Sequence, residues 1–256
     1  MSHPETQGAH GDHAAVRVTE RFSDRVNDYV RYRPGYPEAI ISAIVSRAHL
    51  RAGSTVADIG SGTGISAAPF LALGCTVYAV EPNGPMRAAA EAFHAANACF
   101  HSLSTTAEET GIPAGGIDLV LAAQAFHWFD LDAARREFLR ILRPSGLVAL
   151  AWNRRITDRT PFLKAYEALL HRHAVDYQAV DHRRIDSVVL NRFFNGPYET
   201  IEAPNVQLFD LNGLRGRVAS SSYVPRPGQP GHAELMEAIT ALFHEHAQDG
   251  RVAFEY

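Results

Sequence analysis

The sequence predicts an α/β fold: a mostly parallel sheet of seven strands with helices on both faces, plus a helical cap. Three observations predict it. Short apolar runs alternate with helical segments from Thr55 to Trp152, and a β-α-β-α rhythm folds into a parallel sheet with right-handed crossovers. Ile117–Ala123 is apolar at every position except Asp118, as suits a strand covered on both faces. Val56–Ile59 runs straight into the glycine-rich loop Gly60–Gly64, and a helical segment follows.

The elements follow in order. Residues 1–18, with three His and two Gly, lack an apolar period, so they read as a flexible tail. Residues 19–52 form N-terminal lid helices, the first over about 20–30. Arg31-Tyr-Arg-Pro-Gly-Tyr-Pro37 then forces a turn. Pro37 suits the start of a second helix, with Ile40, Ile41, Ile44 and Val45 on one face, ending near Leu50.

Residues 53–152 form the core. Strands are expected at 56–59, 76–80, 99–103, 117–123 and 147–152, with helices at 63–73, 85–96 and 131–142. Gly74 stops the first of these helices, and Pro144-Ser145-Gly146 makes the turn before strand five. Residues 153–256 form the cap and C-terminal strands. They are mainly helical over 161–195, hold a sixth strand within 198–209 and a helix at 233–246, and end in a seventh strand at 251–256. Residues 19–256 thus read as a single domain, with cap inserts after strands five and six.

Composition narrows the function. With 256 residues and 46% hydrophobic content, the chain can bury a substantial core. A net charge of −4 argues against a general nucleic-acid binder. No apolar stretch nears the roughly 18 residues of a membrane span, and Met1–Asp12 lacks the apolar segment of a signal peptide. A cytoplasmic protein that binds neither membrane nor nucleic acid is expected, as monomer or homodimer. Cys75 and Cys99 lack CxxC spacing and lie in apolar segments, so both are expected as reduced, buried thiols. The 13 histidines include no HExxH or Cys/His cluster, and no metal site is expected.

The stretch richest in chemistry is Val56-Ala-Asp-Ile-Gly-Ser-Gly-Thr-Gly64. Its glycines let a ligand approach the backbone, and the following helix start offers free N–H groups. A G-x-G-x-x-G dinucleotide loop needs Gly or Ala at position 65, which is Ile65. Asp58, two residues before the first glycine, gives a pyrophosphate nothing but suits a cationic sulfonium or amino group. Glu81 ends the second strand, where a carboxylate can take both hydroxyls of a ribose. The plain alternative is a strand-turn-helix whose glycines serve packing only.

These residues resemble the class I S-adenosylmethionine (SAM)-dependent methyltransferases, which have a Rossmann-like sheet, and in particular the small-molecule type grouped with ubiquinone-biosynthesis and trans-aconitate methyltransferases. Val56–Gly64 is similar to their first motif and Val77-Tyr-Ala-Val-Glu-Pro-Asn83 to their second. Ile117–Asp130, Phe22-Ser23 and Tyr32–Pro37 resemble segments of a bacterial and fungal subgroup, and Leu142–Leu150 resembles the family's turn before strand five. Ser145 departs from the usual Gly. The chain ends at Tyr256, inside the expected last strand.

The resemblance implies SAM as cofactor and S-adenosylhomocysteine as product. Asp58 would face the cationic end. Gly60, Ser61, Gly62, Thr63 and Gly64 form the loop, of which Gly60, Ser61 and Gly62 would contact the methionine part. Glu81 would bind the ribose, while Pro82 and Met86 would pack near the adenine. Thr106, Ala107 and Glu108 would line the adenine edge, and Gln124 and Ala125 sit at the carboxyl end of strand four.

Methyl transfer needs alignment and desolvation more than a catalytic triad. Gln124, Phe126, His127 and Trp128 are expected near the methyl group, with Gln124 and His127 as catalytic candidates. His127 could take a proton from the acceptor, or it could simply pack on Trp128. Trp128 and Phe129 read equally well as core. Trp152 and Asn153 reach the rim, and Tyr29, Tyr32, Arg33 and Tyr36 form a lid. Arg33 is either a carboxylate partner, of SAM or of the acceptor, or a solvated turn residue. With Arg154 and Arg155 it hints at a small acidic acceptor methylated on O or N. The competing readings are a nicotinamide-dependent dehydrogenase, disfavoured by Asp58 and Ile65, and a non-catalytic SAM-binding regulatory module.

Overall fold

A computed structural model describes residues 26–174, 177 and 185–256. The tail at 1–18, Phe22-Ser23, the start of the first expected helix and the Tyr29 side chain lie outside the described residues.

Five strands make one parallel sheet: β1 (Thr55–Ile59), β2 (Thr76–Val80), β3 (Phe100–Leu103), β4 (Ile117–Ala123) and β5 (Leu142–Ala151), ordered β3-β2-β1-β4-β5. Val56 pairs with Val77 on one side and Leu119 on the other, so β1 is central. Its residues Val56–Ile59 are fully buried, as their uninterrupted pattern anticipates.

The seven-stranded sheet is not formed. β6 (Val206–Phe209) and β7 (Val252–Glu255) pair antiparallel as a separate two-stranded ribbon. Their link to the chain leaving β5 is a backbone bond from Ile156 N–H to the Glu255 carbonyl, 2.8 Å. Phe209 and Phe254 turn into a core built by the cap helices, so packing ties the ribbon to the cap.

Nine helices are described: α1 (Val26–Tyr32), α2 (Glu38–Arg47), α3 (Ala68–Ala72), α4 (Gly84–Phe93), α5 (Leu131–Ile141), α6 (Pro161–His173), α7 (Ser187–Phe194), α8 (Leu211–Ala219) and α9 (His232–His246). Side-chain caps start several: Asn83 accepts from Met86 N–H, Asp130 from Ala133 N–H and Asp210 from Gly213 N–H.

Four local expectations change. The helix expected at 63–73 is short, because the turns of the glycine loop extend through Ala67. β5 starts at Leu142, and its register jumps from Ile117↔Leu142 to Leu119↔Leu147, so Pro144-Ser145-Gly146 is an excursion within the strand. The α8 helix has no counterpart in the sequence reading. Its Gly213 and Gly216 look like loop residues, yet the Tyr32 ring packs so closely on Gly216 that a Cβ there would meet it at 1.9 Å. Cys75 is buried as expected, but Cys99 is exposed, past the end of α4. No helix among the described residues is long and apolar enough to cross a membrane.

Candidate active site

The carboxyl ends of β1, β2 and β4 meet at one place. The loop after β1 turns on three left-handed glycines, Gly60 (φ +69°), Gly62 (φ +56°) and Gly64 (φ +78°). A Cβ on Gly60 would lie 2.4 Å from the Ala125 Cβ, and one on Gly64 2.9 Å from the His94 ring. Glu81 faces this loop. One of its oxygens accepts from Gly62 N–H (2.9 Å) and the other from Asn83 N–H (2.8 Å). Burial pushes the Glu81 carboxyl upward, while these amides and Arg87 pull it back.

Asp58 is fully buried on β1. Its Oδ2 accepts from the Ser66 hydroxyl (2.7 Å), and its Oδ1 has no partner among the described residues. Burial raises this carboxyl to about 7, Ser66 opposes the rise, and nearby Glu81 adds to it. Ser61 Oγ and Thr63 Oγ1 are also buried without partners among the described residues. A carboxylate and two hydroxyls held out of water beside an open glycine turn fit a ligand with a cationic, hydrogen-bonding end. SAM has such an end.

Met86 is buried under Gly62, with its methyl 3.4 Å from where a Cβ would stand. Pro82 and Thr106 are exposed, Ala107 is buried, and Glu108 accepts the Asp130 N–H (2.9 Å). They lie along the β2 and β3 ends, on the adenine side that the resemblance implies.

A cavity of about 410 Å³ opens from the loop. Of the residues singled out in the sequence, Gly60, Ser61, Gly62, Thr63, Arg33, Tyr36, Gln124, His127, Trp128 and Asn153 line it, together with Arg154 and Arg155. Gln124 holds a left-handed backbone (φ +65°), rare for a residue with a Cβ, and its amide donates to the Asn153 carbonyl. His127 and Trp128 sit on a short 3₁₀ turn with ring centroids 4.6 Å apart. Ala125 and Trp152 are not in the lining. Trp152 packs edge-on against buried Phe126. Asn153 is a latch: its amide nitrogen donates to the Gly35 carbonyl (3.1 Å), and its oxygen accepts from Asn205 (2.8 Å). Arg33 donates to the Ser220 carbonyl at 3.0 Å, tying the lid to the cap.

The far wall was missed in the sequence. Arg217 of α8, Tyr177, Ser222, Tyr223 and Tyr256 come from scattered cap segments and line the same cavity. No local motif marks them.

A left-handed glycine turn on β1, an acidic residue closing β2 and cavity-lining groups after β4 make a Rossmann-like site at the carboxyl ends of the strands. Comparison with known proteins agrees. Residues 57–150 match the family model described as a methyltransferase domain. An uncharacterised methyltransferase of Mycobacterium bovis is 37% identical over 134 residues, 52% of each chain. The chain thus spans about half the length of the curated relatives it matches. A solved structure from Anaeromyxobacter dehalogenans, provisionally named a type II methyltransferase, superposes with TM-score 0.62 at 24% identity, covering 88% of this chain and 95% of that one. A phosphoethanolamine N-methyltransferase of Haemonchus contortus, solved with SAM, gives TM-score 0.54 at 16% identity, covering 97% of this chain and 59% of that one. These two structural likenesses speak to fold alone. Residues 57–150 thus match a methyltransferase domain, the fold is that of solved methyltransferases, and the cofactor these likenesses support is SAM.

Proposed function

We propose that this protein moves a methyl group from SAM to an oxygen or nitrogen of a small acidic molecule in the cytoplasm. One observation carries the reading: a single cavity runs from the Gly60–Thr63 turn to a wall holding Arg33, Arg154 and Arg155. SAM, when bound, would supply an electrophilic methyl carbon for an in-line heteroatom, with the neutral thioether of S-adenosylhomocysteine as the leaving group.

The chain's own groups would do the rest. Glu81 would accept the ribose hydroxyls on the lone pairs left by its two amide bonds. Gly60, Ser61 and Gly62 would contact the methionine part, Asp58 would favour its cationic end, and Pro82, Met86 and Thr106–Glu108 would surround the adenine. Gln124 would orient the acceptor from its strained position at the β4 tip. His127 lines the cavity and would take the acceptor's proton. Arg33 would pair with a carboxylate. Tyr36 and Trp128 would shape the acceptor's surroundings, and the Asn153 latch would hold the lid over them. The open cavity at Gln124 favours an enzyme over a SAM-binding module whose acceptor side is filled by its own side chains.

The test is a panel of carboxylic acids, phenols and N-heterocycles assayed for S-adenosylhomocysteine release. Turnover of an acidic member is expected. Activity confined to amines would contradict the acidic-acceptor reading.

A further inference from the structure

Deep in the cavity two arginines are treated unequally. Arg155 has a carboxylate: it binds Glu167, whose other contacts include Tyr177 Oη at 2.8–3.0 Å. Its side chain is 9% exposed, and its Nη1 is buried with no hydrogen-bond partner. Arg217 is 4% exposed and forms no ion pair among the described residues. It donates to Tyr256 Oη (3.3 Å) and Ser221 Oγ (3.1 Å) and lies 5.7 Å from the Phe254 ring centroid. Asp158 is the one acidic side chain among the described lining residues, and it is exposed. Among the described residues the floor therefore carries a buried cation without a counter-anion, and burying a charge unpaired is costly.

We propose that Arg217 is the anchor for a carboxylate of the methyl acceptor, assisted by the Nη1 of Arg155. Resting on the methyltransferase reading above, this names the residue that selects the substrate class. A planar guanidinium fork matches a carboxylate in two parallel hydrogen bonds. Tyr223 adds a hydroxyl donor, while Tyr177 and Tyr256, whose hydroxyls donate to Glu167 and Gln207, add ring faces for an apolar body. With Arg155 already neutralised by Glu167, the pair has one positive charge to offer. A singly charged carboxylate matches that better than a dianionic phosphate.

Calorimetry on the full chain tests this, with and without saturating S-adenosylhomocysteine. The probes are benzoate, phenylacetate, benzamide and inorganic phosphate. Benzoate or phenylacetate should bind the wild type at least about tenfold more tightly than benzamide or phosphate, the worth of one charge-assisted hydrogen bond. Arg217→Met should weaken the carboxylate about thirtyfold and Arg217→Lys about tenfold, since lysine keeps the charge without the fork. Equal binding of benzoate and benzamide, no carboxylate binding, preference for phosphate, or unchanged carboxylate affinity in Arg217→Met would each overturn the proposal. The wild-type comparison decides the matter even if the variants misfold. The S-adenosylhomocysteine titration reports separately on the methyltransferase reading, because its absence would remove that reading while the carboxylate data still stood.

Discussion

Opposite ionisable groups are buried at Arg217 in the cavity and at Asp58 beneath its glycine turn, each without its complement among the described residues. Asp58, at the sheet end, is a fully buried carboxyl with one oxygen unpartnered and no cation bonded to it among the described residues. Arg217, at the cap end, is a buried guanidinium with no carboxylate paired to it among the described residues. A fold selected for stability alone would pair such groups or replace them with apolar ones. Each end instead keeps a charge that a ligand can satisfy, a cation at Asp58 and an anion at Arg217. The free chain carries the cost of both, so binding energy is available at both.

The comparison breaks most completely where the backbone itself makes the sheet-end site. Gly60→Ala forces a Cβ into the Ala125 side chain and strains a φ of +69°. The expected loss is about 2–4 kcal/mol of stability, with SAM affinity falling more than about a hundredfold as the loop shifts. A melting curve and a SAM titration check it. If Gly60→Ala keeps both, the loop is not the tight turn described here.

Asp58 gives the next largest effect, and its sign depends on pH. An ordinary Asp titrates near 3.8, whereas burial raises this one to about 7. Between those values the folded chain holds a proton that the unfolded chain releases. This group's contribution to stability is thus complete below about 3.8 and is lost as pH rises toward 7. A bound cation reverses the preference by favouring the carboxylate. SAM affinity should therefore rise as pH increases through about 7, with proton release on binding near neutrality. Asp58→Asn should abolish that dependence, raise the melting temperature at pH 8, and weaken SAM about thirtyfold there. Calorimetry in two buffers of different ionisation enthalpy reads the proton count. A flat affinity profile between pH 6 and 8 would show that Asp58 does not meet the cation.

The two ends also differed in how visible they were from sequence. The sheet-end site is local: strand, Asp58, three glycines and Glu81 lie within 58–81, and chain order fixes their geometry once β1 and β2 pair in parallel. The structure accordingly places Glu81 against Gly62, as the pattern implied. The cap end is assembled from residues distant in sequence, and its key helix was hidden. α8 carries Gly213 and Gly216, which lower helical propensity. The reason for Gly216 is the Tyr32 ring from the other end of the chain, a contact no local pattern reports. The same limit explains β6 and β7: their strand character was legible, but their pairing with each other rather than in the main sheet depends on the cap core around Phe209 and Phe254. Asn153 is legible as a rim residue because it follows β5, yet only the folded chain reveals Gly35 and Asn205 as its partners.

The smallest expected effect separates buried from exposed charge within the cap. Arg154 lines the same cavity as Arg217, but its side chain is 71% exposed and lies 3.5 Å from Glu202, itself 78% exposed. Water and salt screen such a pair, so its charge acts weakly and at longer range. Arg154→Ala should change benzoate affinity by less than about twofold at 0.15 M salt, with the difference growing as salt is lowered. Arg217→Met should lose affinity at every salt concentration, because its site is out of solvent. If the two variants responded alike to salt, the anion would be held at the rim by the general field of the arginines, and the buried fork would have no special part in choosing it.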